Sequence, residues 1–373
     1  MVEASPLTLA HVDAETGFSG GEVQVFLLME GLRERGHRNV LIAPPASRAE
    51  AIAIERGFET RPVRMRGDLD MASVVLLSGV LSTLRPDVVH LHTGRATWLG
   101  GLAARAAHCP AITTRRMDRR VKRGWRTRLV YGRLVEYAAA ISPAVAAELI
   151  AGGVDAKKVV VVPSTIDPVR IRIRAGRDAT RTDLGVQPHE ILFVALASLV
   201  PRKGLDVLLD ACADLAQRDI SFACRIAGEG PEREPLARRG VELGLADRVR
   251  FLGKRDDVGD LLAACDAFVL PARREGLGVS ALEAMAAGRA VVASRVGGLA
   301  EAVVDGGTGL LVPPDDAVLL ADAMARVAMD AELRARLGAA GPARVASEFS
   351  PETMVVAYER IYREIVARRA RRA

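Results

Sequence analysis

Residues 267–293 read AFVLPARREGLGVSALEAMAAGRAVVA. The run opens on four apolar residues, Ala267–Leu270, too short for a helix and suited to a buried strand. Pro271 ends it, and a charged segment containing Gly276 and Gly278 leads into Val279–Ala287, where apolar residues recur at helical spacing. Ala290–Ala293 is a second short apolar run. A strand, a loop, a helix and another strand in so few residues make a crossover between parallel strands. This unit decides the fold class, because the rest of the chain repeats it.

Upstream, the strand patterns Ile191–Ala197, Phe222–Ala227 and Val249–Leu252 alternate with helical stretches at Leu205–Gln217, Glu232–Leu243 and Val258–Ala264. Downstream, Gly309–Val312 is a last strand, and from Asp315 the pattern is helical only. Pro163, Pro168 and a polar, Arg-rich stretch to Pro188 interrupt the alternation and read as a connection between domains. Before it come the strand patterns Leu7–Val12, Val40–Ala43, Thr60–Val63, Val88–Leu91, Ala111–Thr114, Ala138–Ile141 and Val159–Val162. Helical stretches such as Gly21–Arg35 and Met71–Leu84 separate them. The chain has 373 residues, more than the roughly 250–300 at which a single core stops growing. The expected fold is therefore α/β, two Rossmann-like doubly wound parallel-sheet domains in tandem. Ligands of such sheets bind beyond the carboxyl ends of the strands. Two such domains are expected to face a central cleft, with the chemistry in the loops that follow strands.

Half of the residues are apolar, 26% are charged and 4% are aromatic, which suits a globular protein of closely packed α/β layers. Cys109, Cys212, Cys224 and Cys265 lie far apart without metal-ligand spacing, three of them in apolar patterns. Buried free thiols in a reducing cytoplasm are expected, not a disulfide framework. The start of the chain, with acidic Glu3, lacks the basic segment and apolar run of a signal peptide. The longest apolar window, Tyr137 to Val154, contains Pro143 and Glu148 and makes a poor membrane span.

Charge is uneven. Lys and Arg number 52 against 46 Asp and Glu, a net +6. Arg115, Arg116, Arg119, Arg120, Lys122, Arg123, Arg126 and Arg128 crowd one stretch relieved by Asp118, and Arg368, Arg369, Arg371 and Arg372 end the chain. Such clusters suit nucleic acid, anionic lipid or a phosphorylated substrate, or form plain solvated surface. With no helix-turn-helix and no aromatic stacking pattern, nucleic acid is not the expected partner.

The densest chemistry lies in Pro271–Glu283. Free backbone N–H groups at the start of the helix, with its positive end, make an anion site fit for a diphosphate. Glu275 sits in the loop and Glu283 about a turn and a half into the helix. A carboxylate pair needs hydroxyl donors or cations, so a polyhydroxylated ligand with phosphates between two sugars satisfies both carboxylates and N–H groups. The competing reading makes both glutamates exposed helix-start charges favoured by the helix dipole.

The E-x7-E pair within EGLGVSALEAMAAGRAVVASRVGGLAEAV resembles the donor-site signature of retaining GT-B glycosyltransferases, family 4 or glycosyl transferases group 1. Leu277 stands for the usual Phe, and Arg289–Ala290 departs from the usual Gly-x-Pro. The similarity continues through Val200–Asp206, Ala227–Arg233, Leu252–Gly253, Ala264–Asp266 and Asp305–Pro313. It implies that Lys203 holds the donor diphosphate, Glu275 contacts the transferred sugar and Glu283 the ribose hydroxyls. It also implies that Gly276, Leu277 and Gly278 line the phosphates and sugar, with Arg255 bordering the base. The family's partner arginine is Ser198 here, and Arg202 is the nearby substitute.

In the first half, Gly17-Phe-Ser-Gly-Gly-Glu22 is similar to the family's Gly-Gly loop near the donor phosphates, implicating Gly20 and Gly21. Asp87-Val-Val-His-Leu-His92 resembles the family's DVVH.H pattern and implies that His92 lies against the reacting sugar. Alternation puts His90 and His92 on one face, where packing is the plain alternative. No metal site is expected from the H-x-H pair or the cysteines, and DxD is absent, so no cofactor or metal is implied beyond the nucleotide sugar as co-substrate.

The expected domains are 1–165 for the acceptor and 166–351 for the donor, with a helix at about 352–373 packing back on the first. Lys203, Arg202 and the helix N-terminus would stabilise charge growing on the leaving diphosphate, while Glu275 and His92 position the sugar. Asp118 and Arg119 are candidate acceptor contacts, and Thr113–Asp118 leading to Ala140–Pro143 is similar to group 1 transferases of bacterial envelope glycolipid assembly. With Trp125 among the cations, this implies a lipid-linked or anionic acceptor and peripheral contact with the inner face of the cell membrane. A sugar-nucleotide epimerase and a non-catalytic nucleotide-sugar-binding protein are the alternatives. Ser198 favours the last, and Glu275, Glu283 and Lys203 oppose it.

Overall fold

The computed structural model describes residues 5–117 and 119–371, so Glu3, Asp118 and Arg372 lie outside the described residues. The chain divides into two compact units, Met1–Ser164 with Pro351–Ala373, and Thr165–Ser350.

The first unit holds β1 (Thr8–Val12), β2 (Arg38–Ala43), β3 (Glu59–Pro62), β4 (Val88–Leu91), β5 (Ala111–Arg115), β6 (Tyr137–Ala140) and β7 (Val159–Val161). They form a seven-stranded sheet in the order β3-β2-β1-β4-β5-β6-β7, with every pairing parallel. The second unit holds β8 (Ile191–Leu196), β9 (Phe222–Ala227), β10 (Val249–Gly253), β11 (Ala267–Leu270), β12 (Ala290–Ser294) and β13 (Gly309–Val312). Its order is β10-β9-β8-β11-β12-β13, again parallel. In each sheet the chain winds outward from the middle, then returns to wind the other way. The strands on either side of the reversal are β1 and β4 in one unit and β8 and β11 in the other. Doubly wound sheets bind ligands at this switch point, where the connections leave in opposite directions and open a crevice.

Both faces of each sheet are covered. In the second unit Phe193, Cys224, Val269 and Val292 from the strands pack with Leu208, Cys212, Met324 and Val327 from flanking helices. In the first unit the helix Pro351–Ala370 joins Met354, Val355, Tyr358, Ile361, Tyr362 and Ile365, at helical spacing, to Leu28, Leu32, Val88 and Ile112. Cys212, Cys224 and Cys265 are buried and Cys109 is half-buried, all as free thiols.

The stretch read as a bare connection contains a helix, Arg177–Asp183. Its sequence is polar, and its order comes from long-range ion pairs: Arg177 and Arg181 meet Asp266 at 2.5 and 2.9 Å. Arg181 also donates to the carbonyls of Ala264 and Glu190. That stretch is therefore folded onto the second unit.

Candidate functional site

The loops after β8 and β11 leave neighbouring strands at the switch point of the second unit, which brings together two residues 72 apart in sequence. Lys203, in the single turn Pro201–Lys203, forms an ion pair with Glu275. Their side chains are only 10% and 13% exposed, so this is a shielded pair, not a surface one. Glycine geometry fixes the encounter. Gly204 has φ 63°, and a Cβ there would sit 2.0 Å from the carbonyl oxygen of Pro271. Gly297 has φ 44°, and its Cβ would sit 2.2 Å from the carbonyl oxygen of Glu275. Only a residue without a side chain allows either approach. Arg273 adds a clamp, donating to both Asp206 oxygens at 2.8 and 2.6 Å and to the Pro201 carbonyl at 2.8 Å.

Beyond Glu275, Gly276, Leu277 and Gly278 are buried and run into the helix Val279–Ala286. Gly278 is its cap at φ 88° and offers no side-chain acceptor. The first N–H groups, at Val279 and Ser280, have no intrahelical partner and carry the positive end of the helix. An ammonium, a carboxylate and a helix start thus surround one loop. The pattern suits a ligand with phosphate oxygens next to hydroxyls.

Glu283 is 1% exposed, which removes the surface reading. Arg170 donates to its Oε1 at 3.0 Å across 113 residues of sequence, whereas Oε2 is buried without a hydrogen-bond partner. Burial pushes the Glu283 carboxyl up to about 7; the Arg170 charge opposes this and Asp167 reinforces it. A buried acceptor with one lone oxygen suits a ligand hydroxyl.

Arg202 is exposed and makes no ion pair among the described residues, and Ser198 is exposed as well. Arg255, read as bordering a base, grips Asp257 with Nε at 2.8 Å and Nη2 at 2.5 Å, with Asp183 at 3.7 Å. Asp257 lies two residues on, and Asp183 belongs to the helix absent from the sequence reading.

In the first unit, β1 pairs with β4, so His11 aligns with His90. His11, His90 and His92 are all buried, and the His90 and His92 rings lie 4.0 Å apart. The sequence reading named the last two; His11, 81 residues from His92, needed the strand order. Arg116, read as part of a basic surface, donates to the His92 carbonyl at 3.1 Å and reaches His92 Nδ1 at 3.4 Å. Since Arg can only donate, His92 Nδ1 is an acceptor and Nε2 carries the proton. It then donates to His11 Nδ1 at 3.0 Å, and His11 Nε2 donates to Asn39 Oδ1 at 3.0 Å. His90 is held by Tyr362 and Thr114, both at 2.6 Å.

Burial lowers all three histidines, His11 to about 4, with Arg116 adding to the effect at His90 and His92. The three could be mistaken for a metal centre, since one nitrogen from each lies within 4.8 Å of the others. All six ring nitrogens are already engaged, and a guanidinium abuts the cluster, so the residues do not fit a cation. His11 and His92 instead form a neutral hydrogen-bonded chain ending on Asn39, with the His90 ring packed beside it.

Gly20 and Gly21 are the first residues of the helix Gly20–Glu34, not a free loop. Ser19 caps it by accepting from Gly21 N–H at 3.2 Å, and Glu22 completes a capping box. A Cβ on Gly20 would meet nothing within 4 Å, so this glycine leaves open space for a close approach. Asp13, after β1, is 1% exposed, and burial raises its carboxyl to about 6. The sequence reading had not singled it out.

Arg119 is exposed, and its carbonyl accepts from Arg115. Further along the stretch, Trp125 meets Trp98 edge-on at 6.1 Å, and Arg126 stacks 4.5 Å from the Trp98 ring. Arg126 also pairs with Asp68 at 2.8 Å, which ties the basic stretch to Leu69 and the helix Met71–Leu84. Leu69 is 92% exposed, Val75 73% and Trp125 70%, with Met71 and Leu76 also exposed. These are large apolar side chains with cations beside them.

Residues 176–344 match the family model described as glycosyl transferases group 1, and residues 18–170 match that of glycosyltransferase family 4. The chain belongs to this glycosyltransferase family. Among curated relatives, D-inositol 3-phosphate glycosyltransferase of Saccharomonospora viridis is 40% identical over 208 residues, 52% of this chain and 48% of the relative. The GDP-mannose-dependent alpha-(1-6)-phosphatidylinositol monomannoside mannosyltransferase of Mycobacterium tuberculosis is 34% identical over 227 residues, 58% of this chain and 56% of the relative. The chain thus spans about half the length of the curated relatives it matches. Among solved structures, Anabaena HepE in complex with UDP and glucose superimposes with a TM-score of 0.84 at 20% identity, covering 96% of this chain and 100% of that one. At that identity the likeness is one of fold, and the fold is GT-B.

Proposed function

We propose that the protein is a retaining, metal-independent glycosyltransferase that moves a sugar from a nucleoside-diphosphate sugar to a lipid-linked or anionic acceptor. The observation that carries this reading is the shielded Lys203–Glu275 pair at the switch point of the second unit. As the anomeric C–O bond weakens, negative charge grows on the leaving diphosphate. Lys203, the unpaired Arg202 and the N–H groups of Val279 and Ser280 meet that charge in a site with little water. Glu275 takes the sugar hydroxyls, and Glu283 offers Oε2 to the ribose. On the first unit, Arg116 and His11 hold the His92 ring in one orientation and one tautomer.

A thermal-shift screen across nucleotide sugars tests the reading directly, because a ligand that binds only the folded protein raises its melting temperature. One donor is expected to stabilise the protein and to be slowly hydrolysed without acceptor. Stabilisation by none, with no hydrolysis, would overturn it. Activity is expected to survive EDTA, since protein groups meet the donor charge; complete loss on chelation, restored by magnesium or manganese, would contradict the metal-free site.

The acceptor reading draws on the printed activities of the relatives, which name inositol phosphate and a phosphatidylinositol mannoside. It draws equally on the exposed Leu69, Val75 and Trp125 beside the basic stretch. No described helix is long and apolar enough to cross a membrane, so the proposed contact is peripheral, at the cytoplasmic face. Each cation near an anionic surface adds roughly 1 kcal/mol. Reversing Arg119, Arg120 and Arg123 to Glu should therefore cut co-sedimentation with anionic liposomes about tenfold or more. The same variant should lose transfer while sparing donor hydrolysis. Equal binding to neutral and anionic vesicles, or a parallel fall of transfer and hydrolysis, would refute this assignment.

A further inference from the structure

The first unit carries a cavity of about 190 Å³ at the end of its sheet opposite the histidine chain. Its wall includes Pro110 and Ala111, where β5 begins, and Glu136 and Tyr137, where β6 begins. His92 and Arg116 instead follow the carboxyl ends of β4 and β5, more than ~10 Å away along the strands. This cavity therefore lies outside the site described above.

Cations converge on it from three parts of the chain. Arg105 comes from the helix Gly101–Ala106, Arg133 from the turn Val130–Leu134, and Arg368 and Arg369 from the last helix. Arg368 is already satisfied, by Glu364 at 2.5 Å and the face of Tyr137 at 5.4 Å. The side chains of Arg105, Arg133 and Arg369 have no ion-pair or hydrogen-bond partner among the described residues. Glu136 is the carboxylate on the wall, so positive charge exceeds negative there. Like charges gathered without counter-ions repel each other, and an anion between them relieves that repulsion. His108 adds a second observation. It follows the end of the helix Gly101–Ala106 at φ 56°, a left-handed position where glycine is usual, and its imidazole lines the same cavity.

We propose that this cavity binds a small phosphate-type anion, gripped by Arg105, Arg133 and Arg369 with His108 at its edge. The volume falls below the roughly 300–1,000 Å³ of pockets that enclose drug-sized ligands, which matches a phosphate group and excludes a whole nucleotide sugar. The planar, multi-donor guanidinium suits phosphate oxygens. The anion is either a free phosphate or the phosphate of a lipid headgroup. The inference stands apart from the donor-site assignment, which concerns the second unit.

Calorimetric titration of the full chain with inorganic phosphate, at ionic strength fixed with sodium chloride, tests it. Saturable binding is expected in the wild type. The Arg105→Ser/Arg369→Ser variant, which removes two exposed and unpartnered side chains and should fold normally by circular dichroism, is expected to bind at least about tenfold more weakly. Lys203→Ala should keep this binding event, because its lysine lies in the donor loops. Absence of saturable binding, or binding lost in Lys203→Ala but kept in the arginine variant, overturns the proposal. Vesicles of phosphatidylglycerol then identify the source. If the arginine variant also loses vesicle binding and phosphate competes for it, the site takes a lipid headgroup. If vesicle binding is unchanged while phosphate binding is lost, the site takes free phosphate.

Discussion

Lys203→Ala should lower turnover by about 10²–10³-fold at saturating donor, the usual loss when one preorganised stabiliser of transition-state charge is removed. The effect should fall on kcat more than on donor affinity, because negative charge on the diphosphate is greatest as the C–O bond breaks. Glu275→Ala should fall comparably, for two reasons that act together. It removes the carboxylate proposed for the sugar, and it strands an ammonium whose side chain is 10% exposed. Breaking a shielded pair from one side is costly, so each variant needs its melting temperature measured beside its rate. Glu275→Gln keeps the shape and separates the two causes. Because the side chains touch, the double variant should lose little more than the worse single one. Strictly multiplicative losses, or a Lys203→Ala enzyme within about twofold of wild type, would remove the pair from the mechanism.

Most strands were legible because they are short apolar runs, unlike β3, and the helix Met71–Leu84 was legible to its ends. Local pattern could not show what depends on partners far along the chain. The helix Arg177–Asp183 has no apolar stripe; Asp266, 89 residues from Arg177, holds it in place. Arg170 lay in a stretch read as a connection, yet it is the cation on Glu283. The fork-shaped ion pair of Arg255 with Asp257 was not legible either, because nothing in the spacing of the two residues signals it.

The first unit shows the same boundary between pattern and topology. His90 and His92 stand out as alternate residues on one strand, but His11 joins them only because β1 lies beside β4. Arg116 reads as one cation among eight, and nothing local distinguishes it from Arg119 or Arg120. Its place at the end of β5, next to β4, turns it onto His92. Glu275 was named from its loop, and Lys203 only through the family resemblance. Each sits in a glycine-bounded loop after a strand, and loops after strands are where doubly wound sheets bind.

Donor affinity should rise with pH up to about 7 and then level off, with Glu283 as the cause. Burial raises its carboxyl to about 7, against the ordinary 4.5, and Arg170 holds back part of that rise. The folded chain therefore binds this proton more tightly than the unfolded chain does. Its contribution to stability is fully present below about 4.5 and is lost as pH rises toward 7. Donor binding follows the opposite sign, because ribose hydroxyls need the ionised acceptor at Oε2. Below the midpoint each pH unit should weaken binding about tenfold, with a proton released as the donor binds. Glu283→Gln should abolish this slope and bind about 10–100-fold more weakly at pH 8, since a charged acceptor is replaced by an amide. Arg170→Ala removes the opposing cation, so its midpoint should move to higher pH. Titration calorimetry of the donor from pH 5.5 to 8.5 in buffers of different ionisation enthalpy measures both the affinity and the proton. A flat wild-type profile, or a Gln variant that keeps the slope, would take Glu283 out of the donor site.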